Sequence, residues 1–226
     1  MPRPGRRRAG FTLIEMMVTV AIMGIIVALA TVSLQRARPR ANLAGAAVDL
    51  QALLHGARQQ ALASGQNVAV MVFPGYSPGG DVVGRIVVYQ DGDGTLFDAT
   101  SADSIDGYDP AVLKCGPNSE IVSTLDLPPA VRIGPAVGMG ATAKLVAPWT
   151  SVPVNLDCTF CDGAGAARRG AVVFDPRGRA SFYSKAGVAL AVDGGSVSLQ
   201  VPSLGAEVRT LAVGASTGAV TSFDNG

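Results

Sequence analysis

Charge is scarce in this chain. Charged residues make up 15% of its 226 positions, where about 25% is typical of globular domains. Histidine is nearly absent: His55 is the only one. Structural zinc takes four nitrogen or sulfur ligands, and the only histidine to join Cys115, Cys158 and Cys161 lies on a predicted helix, so such a set is not expected. The same shortage removes a serine triad. Gly214–Gly218 reads G-x-S-x-G, but the nucleophile elbow requires an acid and a histidine after the serine. Only ten residues follow Ser216, and none is histidine. His55 falls off the apolar stripe of its segment and reads as a solvated helix residue, so no catalytic residues are expected and the chain is not expected to be an enzyme. Acids are missing ahead of the first apolar run, whereas Arg3, Arg6, Arg7 and Arg8 all precede it. Without those four, 14 basic side chains face 17 acidic ones. That is the wrong sign for a general nucleic-acid binder.

What the chain does have is glycine, at 28 positions, well above the usual share of about 7%, and one long hydrophobic run. Phe11–Leu34 is 24 residues long, and the 19 from Met16 onward carry no charge. At 1.5 Å per residue it reaches about 36 Å, enough for a hydrocarbon core of about 30 Å. The preceding arginines set a cytoplasmic N-terminus and place the remainder on the far side. A cleaved secretory signal has a shorter apolar core followed by small residues. Here the run is longer, and Ala9 and Gly10 come before it.

One carboxylate, Glu15, stands inside this run. An ionisable group in lipid costs about 2.5–3.5 kcal/mol at a helix centre, so it needs an interfacial position or a partner. A cut between Gly10 and Phe11 would retain Glu15 and create a free α-amine near it. The amine of a neighbouring copy would then pair with the carboxylate and set the register between helices.

"RRRAG" followed by "FTLIEMMVTVAIMGIIVALA" resembles the class III leader of type IV pilins and pseudopilins. The resemblance implies that prepilin peptidase cuts after Gly10 and that Phe11 becomes the methylated N-terminus. It also implies that Glu15 serves subunit registration. The chain departs from many major pilins in having no proline in the span.

After "RARPR" (Arg36–Arg40), where Pro39 can kink or interrupt a helix, Ala41–Ser64 reads as an amphipathic helix. Leu43, Ala47, Leu50, Leu54, Ala57 and Ala61 recur at helical spacing, and Ser64-Gly65 supplies a stop. Beyond it, β-like runs alternate with Gly, Pro and Asp turns: "NVAVMVF", "RIVVYQ", "EIVSTL", "AVRIG", "AVVFDPRGRASFYS", "SVSLQVP", "VRTLAV" and "AVTSF". Asp175-Pro176-Arg177-Gly178 has the composition of a tight hairpin turn. The expected fold is α+β and pilin-like, a long N-terminal helix packed on an antiparallel sheet or sandwich. Its divisions are a leader at 1–10, a membrane helix at 11–34, an amphipathic continuation at 35–66 and a β-rich periplasmic domain at 67–226.

The order of these pieces resembles the GspH/FimT branch of pseudopilins. That resemblance implies a minor pseudopilin of a type II secretion system, a structural subunit of the short periplasmic pseudopilus. The alternative is a FimT-like minor type IV pilin acting in pilus assembly or DNA uptake. Against DNA, Arg209 is the only basic side chain from Asp193 onward. The partners implied are prepilin peptidase, other major and minor pseudopilins and the inner-membrane assembly platform. The implied location is the bacterial inner membrane in a single pass, with the C-terminal domain in the periplasm and the mature subunit assembled into the pseudopilus. No cofactor is implied.

Two further groups are candidates for chemistry. "DGDGTLFD" places Asp91, Asp93 and Asp98 as in the start of a calcium loop, but Leu96 and Ala102 stand where an EF-hand needs Gly and Glu. The expectation is a surface turn, with Asp91, Asp93 and Asp98 as a weak calcium candidate. Cys115, Cys158 and Cys161 suit an oxidising compartment. One disulfide is expected, either Cys158–Cys161 or Cys115 with one of that pair.

Overall fold

Helix α1 spans Leu13–Ser64. It belongs to a computed structural model in which residues 12–80, 84–98, 104–135, 144–145, 152–154 and 156–224 are described. The chain divides into two units, residues 1–38 and residues 39–226. Pro39 lies inside the helix rather than interrupting it, at the loss of the hydrogen bond to the carbonyl four residues back. At the far end, Gly65 adopts φ +69°, a left-handed geometry that glycine enters without steric cost. Its N–H closes the last turn on the Ala61 carbonyl at 3.1 Å.

In the second unit the predicted stripe Leu43, Ala47, Leu50, Leu54, Ala57 and Ala61 is buried, none more than 4% exposed. It packs on two antiparallel sheets. The first has the order β3-β2-β1-β7-β8-β9, formed by Glu120–Asp126, Arg85–Asp91, Asn67–Phe73, Gly170–Phe174, Ala180–Ser184 and Ala189–Leu190. The second has the order β12-β11-β10-β4, formed by Val220–Asp224, Val208–Gly214, Gly194–Gln200 and Arg132–Ile133. A two-stranded pair, β5 (Lys144–Leu145) and β6 (Pro153–Val154), completes the described strands.

The main core lies among the helix stripe, Val68, Val70 and Val72 of β1, Val172 and Phe174 of β7, and Leu199, Leu211 and Val213 of the second sheet. Burying each such side chain is worth about 1.5–3 kcal/mol. The α+β expectation holds: a helix stripe with a period near 3.6 residues meets strands with a period of 2.

The hairpin between β7 and β8 turns at the predicted place. Gly178 N–H donates to the Asp175 carbonyl at 2.8 Å, and Asp175 N–H to the Arg179 carbonyl at 2.9 Å. Asp175 Oδ1 accepts from the Arg177 and Arg179 amides, each at 2.9 Å. Burial acts to raise the Asp175 pKa, but these bonds and the Arg179 guanidinium outweigh it and lower the value.

The first sheet is covered on both faces. Ala69, Met71 and Phe73 of β1 point away from the helix into a second core with Val87, Tyr89, Ala171 and Val173. This core is closed by Leu96, Ile105 and Tyr108 from the β2–β3 connection. Phe97 stacks on Tyr183 with centroids 3.9 Å apart. Part of what had been expected as a surface turn thus supplies core residues.

Candidate functional site

The first unit opens on a reciprocal hydrogen-bond pair. Thr12 precedes the helix, and its Oγ1 accepts from the Glu15 N–H at 3.3 Å. The Glu15 side chain reaches back, with Oε2 accepting from the Thr12 N–H at 3.5 Å. This is a capping box, Thr at the N-cap and Glu three residues on, in which each side chain satisfies an amide that the helix leaves without an internal partner. The carboxylate also sits at the positive end of the helix dipole. Glu15 is therefore held by its own helix in the single chain. The pattern T-x-x-E ahead of an apolar run is readable in the sequence, but Thr12 was not among the expected site residues.

Leu13–Thr31 is long and apolar enough to cross a membrane, and none of it is buried within the protein. Val20 is 67% exposed and Leu29 68%. A helix surface this apolar on all sides is compatible with lipid. Gly10 and Phe11, the expected cut site, lie outside the described residues.

Residues 5–31 match the family of the Prokaryotic N-terminal methylation motif. This is a prepilin-type leader. The match supports a type IV pilin-like protein, and a prepilin-type leader implies processing by prepilin peptidase. It also implies association with a membrane and with pilus or pseudopilus components. The apolar helix within the matched residues, from Leu13 onward, is compatible with a single-pass anchor. No curated protein and no solved structure matches the chain.

The other expected sites lie away from the leader, in the second unit. Asp91 is buried, and its Oδ1 accepts from the Thr95 N–H at 3.2 Å. Asp93 accepts from the Asn118 amide at 3.1 Å and from the Asn118 side chain at 2.6 Å. Asp98 is exposed. Those bonds put Asp91 and Asp93 to work bracing the ends of the β2–β3 connection. Among the described residues no group of three or more His, Cys, Asp or Glu is arranged to hold a metal ion.

Cys158 and Cys161 form a disulfide with Cα atoms 5.2 Å apart, leaving Cys115 free and exposed. Beside it, Arg168 Nη1 bridges to Asp157 at 2.9 Å. His55 is half-buried on α1.

Near the C-terminus, Arg209 pairs with Asp224 at 2.7 Å. Arg40 chelates Glu207 through Nε, 2.9 Å from Oε1, and through Nη2. That contact raises the Arg40 pKa, first through the side-chain hydrogen bond and then through charge.

Proposed function

We propose that this chain is a minor pseudopilin of a type II secretion system. Its leader is removed after Gly10, its helix is held in the inner membrane, and its β-rich domain contacts other subunits or cargo on the far side. The observation that carries the reading is the prepilin-type leader match over residues 5–31. Glu15, the only charge between Arg8 and Arg36, sits in the helix that follows the proposed cut. In the precursor the capping box shelters the Glu15 carboxylate. During assembly the α-amine of a neighbouring Phe11 takes it over, exchanging an intrahelical partner for one between subunits.

A pilin that takes up DNA needs exposed cations for phosphate. The pairing of Arg209 with Asp224 withdraws the one basic side chain near the C-terminus and favours the secretion reading over uptake.

Intact-mass and N-terminal peptide analysis of the protein from its native membrane tests the leader. A mature chain starting at N-methylated Phe11 is expected, and Gly10→Ala should abolish maturation. A chain that keeps Met1–Gly10, or begins beyond Leu34, refutes the proposal. Deleting the gene then separates the machines: failure to export a secreted protein supports the pseudopilus, whereas loss of pili or of DNA uptake with normal export overturns that assignment.

A further inference from the structure

The segment Ser104–Ser119 lies against the outer face of the first sheet without being woven into it. Its Ile105 and Tyr108 are buried against Phe73, Tyr89 and their neighbours. Yet among the described residues no backbone–backbone hydrogen bond joins the segment to a strand of that sheet. Apolar contact, a few side chains and one backbone bond outside the strands, from the Ile105 N–H to the Leu96 carbonyl at 2.8 Å, hold it instead. Arg169, just before β7, donates from Nη1 to three of its carbonyls: Ile105 at 3.3 Å, Asp106 at 3.1 Å and Tyr108 at 2.6 Å. The same guanidinium lies over the Phe73 ring, 5.4 Å from its centroid. Arg85, at the start of β2, donates to the Pro110 carbonyl at 2.6 Å while holding Asp126. Tyr89 Oη accepts from the Gly116 N–H at 3.2 Å.

Two further features set the segment apart from the strands. Leu113 has φ +53°, a left-handed conformation unfavourable for a residue with a Cβ and one that persists only where the surroundings enforce it. Burial lowers the Arg169 pKa against the opposing pull of Asp106 and Asp109; arginine nevertheless stays cationic, so its three bonds are charge-assisted.

We propose that Ser104–Ser119 is a strap that opens as a unit while the two sheets stay folded, with Arg169 as its latch. Opening breaks no strand pairing, so it needs only part of the global unfolding free energy. It bares the part of the apolar face that Ile105 and Tyr108 cover, around Phe73 and Tyr89. The inference does not depend on the leader or on the machine the protein serves.

Hydrogen exchange followed by mass spectrometry, on the full chain in lipid nanodiscs, tests it. Wild-type peptides from Ser104–Ser119 should exchange about tenfold or more faster than those of β1 and β7, through a sub-global opening. Arg169→Gln removes charged hydrogen bonds individually worth about a factor of ten or more. It should therefore speed strap exchange by about ten- to a hundredfold and leave β1, β7, β10 and β11 unchanged. Wild-type strap amides that exchange in step with β1 overturn the proposal, as does an Arg169→Gln variant with an unaltered strap or with all strands equally accelerated. Should the variant not fold, a lysine-specific protease on the wild type serves instead, because Lys114 is the only lysine in the strap. Cleavage after Lys114 should rise in urea well below the unfolding transition. Cleavage that appears only with global unfolding overturns the strap.

Discussion

Glu15 has two roles assigned to it, a cap for its own helix and a charge for a neighbour's amine, and replacing it with glutamine separates them. A capping box accepts Gln in place of Glu, so Glu15→Gln keeps the bond to the Thr12 N–H and loses only the charge. Glu15→Ala loses both. A lost cap costs about 0.5–2 kcal/mol, equivalent to about a 2- to 30-fold rise in fraying at the first turn. Leaving a neighbour's amine unpaired in a low-dielectric contact costs about 3–5 kcal/mol, about two to four orders of magnitude in the association constant.

Two assays on the same variants read the two effects. Amide exchange at Thr12–Met17 in nanodiscs should show Glu15→Gln near wild type and Glu15→Ala faster. Incorporation into sheared filaments should fail for both. A Glu15→Gln protein that assembles normally would refute the charge pairing and leave Glu15 as a helix cap alone.

Three further outcomes follow from the second unit. Gly218 has φ +60°, and a Cβ there would stand 2.1 Å from the Gly178 carbonyl oxygen and 3.0 Å from Arg58 Nε; Gly218→Ala should cost about 2–4 kcal/mol by urea denaturation. Gly65→Ala, with φ +69° but open space, should cost only about 1–2 kcal/mol, and equal losses would show that the contact between the two turns is not tight. Because the folded Asp175 pKa is lowered, its ionisation contributes stability that is complete above the unfolded value of about 3.9. That contribution disappears as pH falls through the folded pKa, so the gap between wild type and Asp175→Asn should close on acidification; a gap that widens refutes the assignment. Replacing Cys158 and Cys161 together by serine should cost about 2 kcal/mol, as expected for so short a closed loop, whereas Cys115→Ser should stay within about 0.5 kcal/mol of wild type; the reverse order would refute the pairing.

The sequence was most legible where one local rule and one burial rule agreed. Leu43 to Ala61 carried helical spacing and became the buried stripe. Asp175-Pro176-Arg177-Gly178 carried turn chemistry and became the β7–β8 turn. The run "AVRIG" contains β4, but β5, β6 and β9, of two residues each, were harder to read: two residues hold no period, and tertiary contact decides whether they pair. The disulfide was narrowed only to alternatives, because spacing does not reveal which Cα atoms approach within bonding range.

The strap escaped for a different reason. β1 is "NVAVMVF", apolar at every position after the first, and a strand with no polar alternation is one buried on both faces. Its odd residues, Ala69, Met71 and Phe73, therefore require a cover that the helix stripe, already occupied by Val68, Val70 and Val72, does not provide. That requirement was present in the sequence, but its solution was not periodic. Leu96, Phe97, Ile105, Tyr108 and Leu113 fall at irregular intervals among Asp, Gly and Pro, which is how a surface turn reads. A covering segment without ladder bonds needs side-chain anchors, and Arg85 and Arg169 are far from it in sequence and carry no local signal. An apolar strand run in excess of what the recognised elements can cover is thus a prompt to search the long connections for scattered large apolar residues, and the flanks of the covered strands for arginines that can reach their carbonyls.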